Sequence, residues 1–329
     1  MLSIVVPCYN EQETVPLLFE AIERLRPQIK PSLEYIFVND GSTDGTLREL
    51  RHLAERERCV RYISFSRHFG KEAALYAGLQ AAKGSLVTVM DADLQDPPEL
   101  LPRMIAMIES TNLDCVGTRR INREGEPRLR SFFARQFYRL INRISSTQMV
   151  DGARDYRLMT RQMVDAVLRL SEYNRFSKGL FSWVGFETEY ISYPNRERAA
   201  GKTSWSFWKL FNYSLDGIVN FSEAPLNIAS FVGGLSCLAS AVALIFIVVR
   251  ALIWHNSAAG WPSLVSIILL LGGLQLLSLG IIGRYIGKIF LETKQRPIYI
   301  VKETEKSNRP DQPASVMSPI ERPDEKHDE

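Results

Sequence analysis

The chain has 329 residues, a formal net charge of +3 and four cysteines, Cys8, Cys59, Cys115 and Cys237, scattered without metal-ligand spacing. That length holds one large domain or two ordinary ones. The near-balanced charge leaves no nucleic-acid footprint, and the cysteines imply neither a disulfide framework nor a zinc site.

Leu2–Val6 reads as a first strand, so no cleaved signal is expected at the start. The turn Pro7-Cys8-Tyr9-Asn10-Glu11 follows, then a helix whose apolar positions Val15, Leu18, Phe19, Ile22 and Leu25 share one face. Tyr35–Val38 is a second strand ending in Asn39-Asp40-Gly41-Ser42, and Thr43-Asp44-Gly45-Thr46 opens a helix through Leu47, Leu50 and Leu53. Val60–Phe65 is a third strand and Lys71–Ala82 a helix. Ser85–Val89 is a fourth strand, running into Asp91-Ala92-Asp93-Leu94-Gln95-Asp96-Pro97-Pro98. A helix then reaches about Ser110, and Asp114–Gly117 is a further strand. This alternation specifies an α/β fold, a mostly parallel sheet with helices on both faces, and its binding crevice lies at the carboxyl edge of the strands.

At that edge, two carboxylates one residue apart with an amide at Gln95 suit a hard divalent cation that clamps phosphates. Taken alone, the same residues fit a solvated helix-start turn equally well. No Gly-x-Gly-x-x-Gly follows the first strand, and Gly70-Lys71 precedes Glu72 rather than Ser or Thr, so neither glycine-rich phosphate motif is present.

Pro127–Ile144 carries an apolar helical stripe with Arg128, Arg130, Arg135, Arg139 and Arg143 elsewhere on the helix, a pattern that fits an anionic membrane surface. Its alternative is a core helix with a solvated arginine face. Asp151–Arg157 reads as a polar turn before a helix. Ile191–Pro194 reads as an edge strand, and Arg196–Ser204 as a basic loop. Trp208, Phe211, Leu215 and Ile218 share a face of a helix expected to lie in the membrane interface. Asn227–Ile253 and Ser263–Ile282 are long enough to cross a bilayer. Arg284, Lys288, Lys294 and Arg296 follow the second, whereas the connector carries no Lys or Arg, which places both flanks in the cytoplasm.

The expected organisation is a cytoplasmic catalytic domain over 1–204, an interfacial helix over 205–224 and two membrane helices within 225–290, at about 227–253 and 263–283. A cytoplasmic tail over 291–329 is expected to lose structure from about Glu303. Small residues at Gly233-Gly234 and Gly272-Gly273 leave the hairpin open to self-association as a homo-oligomer.

Val6–Glu11, Val38–Ser42, Asp91–Pro98 and Asp155-Tyr156-Arg157-Leu158 come in an order that resembles family 2 glycosyltransferases. The likeness is greatest to the polyprenyl-phosphate glycosyltransferases, which include dolichol-phosphate mannosyltransferases and bactoprenol glucosyltransferases. The resemblance covers about residues 1–300 and implies a nucleotide-sugar-binding (GT-A-like) fold in a multi-pass protein of the cytoplasmic membrane, with both termini cytoplasmic. By it, Pro7, Tyr9, Glu11, Asp40, Lys71 and Asp91 hold the nucleotide sugar, and Asp93, Gln95 and Asp91 hold Mg²⁺ or Mn²⁺. Arg119, Arg130, Arg135, Arg198 and Lys202 receive the lipid phosphate; Lys202 stands two positions from the lysine usual in related loops. Asp155 and Asp93 are the catalytic carboxylates, Asp155 as base or as sugar-positioning group. The implied reaction is inverting transfer of a hexose, with UDP-glucose the favoured donor, to a polyprenyl phosphate. GDP-mannose, UDP-aminosugar or UDP-aminoarabinose donors and a processive polysaccharide synthase are the alternatives.

Overall fold

The computed structural model of the chain describes residues 1–120, 150–194, 217–254 and 260–307, together with 136, 139, 141–145, 147 and 148. An eight-stranded sheet organises the first part. Its strands are β1 (Leu2–Cys8), β2 (Leu33–Asn39), β3 (Val60–Phe65), β4 (Leu86–Val89), β5 (Cys115–Arg120), β6 (Ala153–Thr160), β7 (Thr188–Tyr193) and β8 (Val301–Thr304), in the order β7-β5-β6-β4-β1-β2-β3-β8. β1 pairs in parallel with β2 and β4, β2 with β3, and β5 with β7. β6 runs antiparallel between β4 and β5.

Helices α1 (Thr14–Arg24), α2 (Thr46–Arg56) and α4 (Leu101–Ser110) cover one face, where Leu18, Ile22, Leu50 and Met104 meet Ile4, Phe37 and Tyr35. On the other face lie α3 (Lys71–Ala81), α5 (Arg161–Arg169) and α6 (Ser177–Trp183), which bring Ala74, Leu75, Val164 and Phe181 against Val5, Val38 and Val87. Every residue of β2 is buried, as expected of a central strand roofed on both sides.

Two expectations are corrected. The expected turn over 151–157 is confined to Asp151 and Gly152, and Ala153–Thr160 is the antiparallel strand β6. Its polar look comes from Arg157, 2 % exposed, which buries its charge by stacking its guanidinium 3.8 Å from the Phe181 ring and donating to the Arg154 carbonyl oxygen. Such internal satisfaction lets a charged residue occupy a sheet interior. Nor does structure end at Glu303, which lies inside β8, antiparallel to β3. Glu303 takes a two-pronged bond from Arg51 at 2.8 and 2.6 Å and a third from the Tyr62 hydroxyl.

Two long apolar helices complete the described chain, α7 (Ala224–Trp254) and α8 (Trp261–Thr293). Both contain stretches long and apolar enough to cross a membrane, at Ala224–Ala243 and Leu270–Thr293. Neither stretch is buried among the described residues; Phe231 and Leu276 are each 72 % exposed, so the two helices are not core helices of the sheet domain. α8 continues ten residues past the expected end at 283, and this extension touches the sheet domain. There Tyr285 donates to the Ser222 carbonyl oxygen, Lys288 to Asn174 Oδ1, and Glu292 accepts the amides of Tyr173 and Asn174.

Candidate active site

The register of β4 against β6 builds the centre of the site. Val89 faces Arg157, and continuing that antiparallel register two residues beyond the end of β4 sets Asp91 opposite Asp155. Lys71, the first residue of α3, reaches between them: its Nζ lies 2.6 Å from Asp91 Oδ1 and 2.6 Å from Asp155 Oδ2. Gly70 before it has φ +104°, a conformation that L side chains rarely adopt, and this turn aims α3 at the strand ends.

Burial works against the Lys71 ammonium, but the Asp155 and Asp91 carboxylates outweigh it and hold its pKa above the ordinary lysine value. The converse holds for Asp155: burial alone would raise it, yet Lys71 and then Lys178 hold its carboxyl well below the usual range. Asp155 is therefore a fixed anion and a weak base.

Around this trio the acidic loop is braced by arginines. Arg154 lies 3.8 Å from Asp91 Oδ2 and donates from Nε to Asp96 Oδ1 at 3.1 Å. Asp96 is fully buried and also accepts the Tyr193 hydroxyl at 2.6 Å. The Gln95 amide donates to Asp93 Oδ1 at 3.1 Å, closing a tight turn through Leu94 at φ +57°. Arg120 donates to Gln95 Oε1 at 3.0 Å. Arg119, expected on the acceptor side, is exposed and donates to Ser192 Oγ on β7, while its neighbour Arg120 reaches the loop. Arg130, Arg135, Arg198 and Lys202 lie outside the described residues.

The nucleotide end of the edge is equally connected. Asp40, 2 % exposed at the end of β2, accepts the amides of Phe69 at 2.7 Å and Gly70 at 2.9 Å and faces His68 Nδ1 at 2.8 Å. Burial raises its pKa against these donors. Gly41 turns the chain with φ +65°, where a Cβ would strike the Arg67 carbonyl carbon. Tyr9 is 41 % exposed after β1, its ring 4.3 Å from that of His68, which offers a planar base an aromatic surface beside a carboxylate. Pro7 is half-buried near the end of β1. Glu11 accepts the Thr14 hydroxyl at 2.6 Å, and its amide donates to Thr46 Oγ1, so it braces the starts of α1 and α2. Tyr9, His68, Asp40, Gly70, Lys71, Asp91 and Asp155 thus form one row along the carboxyl ends of β1, β2, β4 and the facing end of β6.

Among the described residues no three His, Cys, Asp or Glu side chains gather into a self-sufficient metal cage. The donors at the edge are the hard oxygens of Asp91, Asp93 and Gln95, a set that fits a magnesium-like ion only when phosphate oxygens complete its shell.

The profile described as glycosyl transferase family 2 matches residues 3–168, from β1 through α5, and so includes Asp40, Asp91, Asp93 and Asp155. The chain belongs to glycosyl transferase family 2. The assignment extends past the matched segment. CsbB of Bacillus subtilis, whose glycosyltransferase activity is itself an assignment, is 44 % identical over 94 % of this chain and 93 % of its own. The bactoprenol glucosyl transferase of Shigella phage SfII is 39 % identical over 93 % of this chain and 99 % of its own. Both alignments must run through the two apolar helices to reach such coverage. A solved glucosyl-3-phosphoglycerate synthase from Mycobacterium tuberculosis, bound to Mn²⁺, UDP and phosphoglyceric acid, aligns over 67 % of this chain and 76 % of its own at 20 % identity and a TM-score of 0.47, too distant to carry a ligand across.

The protein is thus a glycosyltransferase with a mostly parallel sheet and two candidate membrane helices. His68, Arg120, Arg154 and Lys178 are the site residues that sequence reasoning did not single out. Arg120 and Arg154 carried one usable signal: each is a basic residue within two positions of a residue already singled out. His68 and Lys178 carried none.

Proposed function

We propose that this glycosyl transferase family 2 protein transfers a hexose, with inversion, from a nucleoside diphosphate donor to the phosphate of a polyprenyl phosphate, with UDP-glucose as the favoured donor. The observation that carries the reading is the Asp91–Lys71–Asp155 trio at the sheet edge, in a chain whose α8 bonds directly to the sheet domain. The family assignment supplies glycosyl transfer, and the bactoprenol glucosyl transferase relatives supply the lipid acceptor and the glucosyl group.

In this reading Tyr9 and His68 cover the base, and Asp40 fixes the loop that carries His68. Asp91, Asp93 and Gln95 would hold Mg²⁺ or Mn²⁺ together with the donor diphosphate. When bound, that ion stabilises the charge gained by the departing nucleoside diphosphate. Lys71 keeps Asp155 ionised and holds both Asp91 and Asp155 in place. Arg120 and Arg154 add positive charge beside the leaving group. A lipid phosphate oxygen attacks the anomeric carbon from the face opposite the diphosphate: one C–O bond forms as the other breaks, and the centre inverts.

The acceptor phosphate has a second pKa of about 6 and is anionic at neutral pH, so it needs no strong base. Asp155, with its lowered pKa, is assigned to positioning the sugar and to stabilising positive charge at the anomeric carbon, not to proton abstraction. The helices α7 and α8 form a membrane hairpin whose flanks are cytoplasmic, with Arg284, Lys288, Lys294 and Arg296 on the inner side.

The test is to incubate membranes holding the full-length protein with labelled UDP-glucose and undecaprenyl phosphate, with and without EDTA. One organic-extractable labelled lipid, lost with EDTA and restored by Mg²⁺ or Mn²⁺, is expected. A water-soluble polymer, or no turnover with any nucleotide sugar, would overturn the reading.

A further inference from the structure

A cavity of about 240 Å³ opens between the first turn of α3, the segment before α6 and the end of α8. Glu72, Arg175 and Asn220 line it among the rings of Phe69, Tyr173 and Phe176, and Lys288 of α8 also borders it.

Arg175 is the unusual member. It is 7 % exposed, its guanidinium lies 4.4 Å from the centre of the Tyr76 ring, and one terminal nitrogen donates to the Leu170 carbonyl oxygen. Its Nε is buried without an acceptor. A buried N–H left unpaired is costly, and a ligand oxygen in the cavity would relieve it.

The cavity also adjoins the reacting groups. Glu72 directly follows Lys71, and its carboxylate accepts the amide and hydroxyl of Ser177. Ser177 adjoins Lys178, whose charge acts on Asp155.

We propose that this cavity receives the hexosyl group of the nucleotide-sugar donor, with Glu72 and Arg175 reading its hydroxyls. The proposal rests on the donor reading above and names the sugar's seat within it. The lining selects a polyol over an anion. A phosphate calls for donors alone, whereas here the Glu72 carboxylate and the carboxamides of Asn174 and Asn220 supply acceptors next to the guanidinium and ammonium donors. Three rings offer surfaces for the apolar faces of a pyranose. The volume falls below the range of drug-sized sites, as a single sugar ring requires.

The experiment uses the full-length protein in lipid nanodiscs with Mn²⁺. It compares the affinities of UDP and UDP-glucose for the wild type, Arg175→Lys, Glu72→Gln and Asn220→Ala. Affinity for UDP-glucose should fall about ten- to a hundredfold in the first two variants, the loss expected for a hydrogen bond to a charged group, while affinity for UDP, which lacks the sugar, holds. Retained UDP binding also shows that the crevice is folded. If the two buried substitutions lose UDP binding through misfolding, Asn220→Ala decides alone: it must weaken UDP-glucose severalfold and spare UDP. The proposal is overturned if both affinities fall together in folded protein, if neither falls, or if the only effect is a raised KM for polyprenyl phosphate, which would make this an anion site. A wild type that binds UDP-glucose in a sugar-dependent way yet makes no glycolipid would sink the acceptor reading and leave the cavity assignment standing.

Discussion

Lys71 sets the electrostatic state of the reaction centre, and its two neighbours fix the sign of the pH response. Asp155 is held below its ordinary pKa, so its pairing stabilises the fold above about pH 4 and is lost only as pH falls through the lowered value. Lys71 is held above its own, so its contribution is full below about pH 10 and is lost only above that. Neither titrates between these limits. The pH–rate profile of the wild type should therefore show an acid limb near about pH 6 from the acceptor phosphate and none from Asp155. Lys71→Met should lower turnover by about a hundredfold or more and bring in a second acid limb as the Asp155 pKa rises. Its stability should drop by about 1–3 kcal/mol, less than for a fully buried pair because the Lys71 side chain keeps 38 % exposure. Stopped-time assays across pH, with urea unfolding, check both. Asp93→Asn should abolish transfer while the protein remains membrane-bound with unchanged circular dichroism; full activity in that variant would discard the metal assignment.

At this scale Asp40, Asp91 and Asp93 were legible as edge carboxylates because they follow apolar runs that read as strands, whereas Asp155, which lies within β6, was singled out only by the family resemblance. The grip of Lys71 on Asp91 and Asp155 was not, since it depends on where α3 points after Gly70, a property of backbone dihedrals that residue identity leaves open.

Among the elements, β6 and β8 complete the sheet, one inside it and one at its edge. β1 to β4 were readable from apolar runs between turn residues. β6 was not, because a strand with Arg154, Asp155 and Arg157 breaks the apolar pattern of a central strand, and only its partners (the Phe181 ring and the carbonyls of its own backbone) explain its burial. β8 escaped notice because a short strand of alternating charge looks like a solvated tail until its partners, Arg51 and Tyr62, are placed. β8 covers the outer edge of β3, an edge that would otherwise offer unpaired backbone groups to other chains. Removing residues 298–329 should lower the melting temperature and promote aggregation on heating, as light scattering would show. Arg51→Ala alone should cost about 1 kcal/mol or less, since its side chain is 42 % exposed. A truncated protein that melts at the wild-type temperature would show that β8 adds nothing to the sheet.

Among the described residues the enzyme sheet and the two apolar helices share no buried core, and the helices expose apolar faces suited to lipid. Cys237 on α7 makes this measurable: it is exposed in the isolated protein, whereas Cys8 and Cys115 are buried with their thiol pKa values pushed up by desolvation. In a Cys59→Ser background, a membrane-impermeant maleimide should fail to label sealed membranes and should label Cys237 after the lipid is stripped by detergent. Rapid labelling without detergent would place α7 in water.

β3 stays unzipped along one side until residues 301–304 have been synthesised, and both greasy helices precede those residues in the chain. The ribosome therefore releases both apolar helices before the catalytic sheet can acquire its final strand. On the proposed membrane reading, completion of the sheet follows insertion of the hairpin, and a chain stalled before its last strand is left with an open flank.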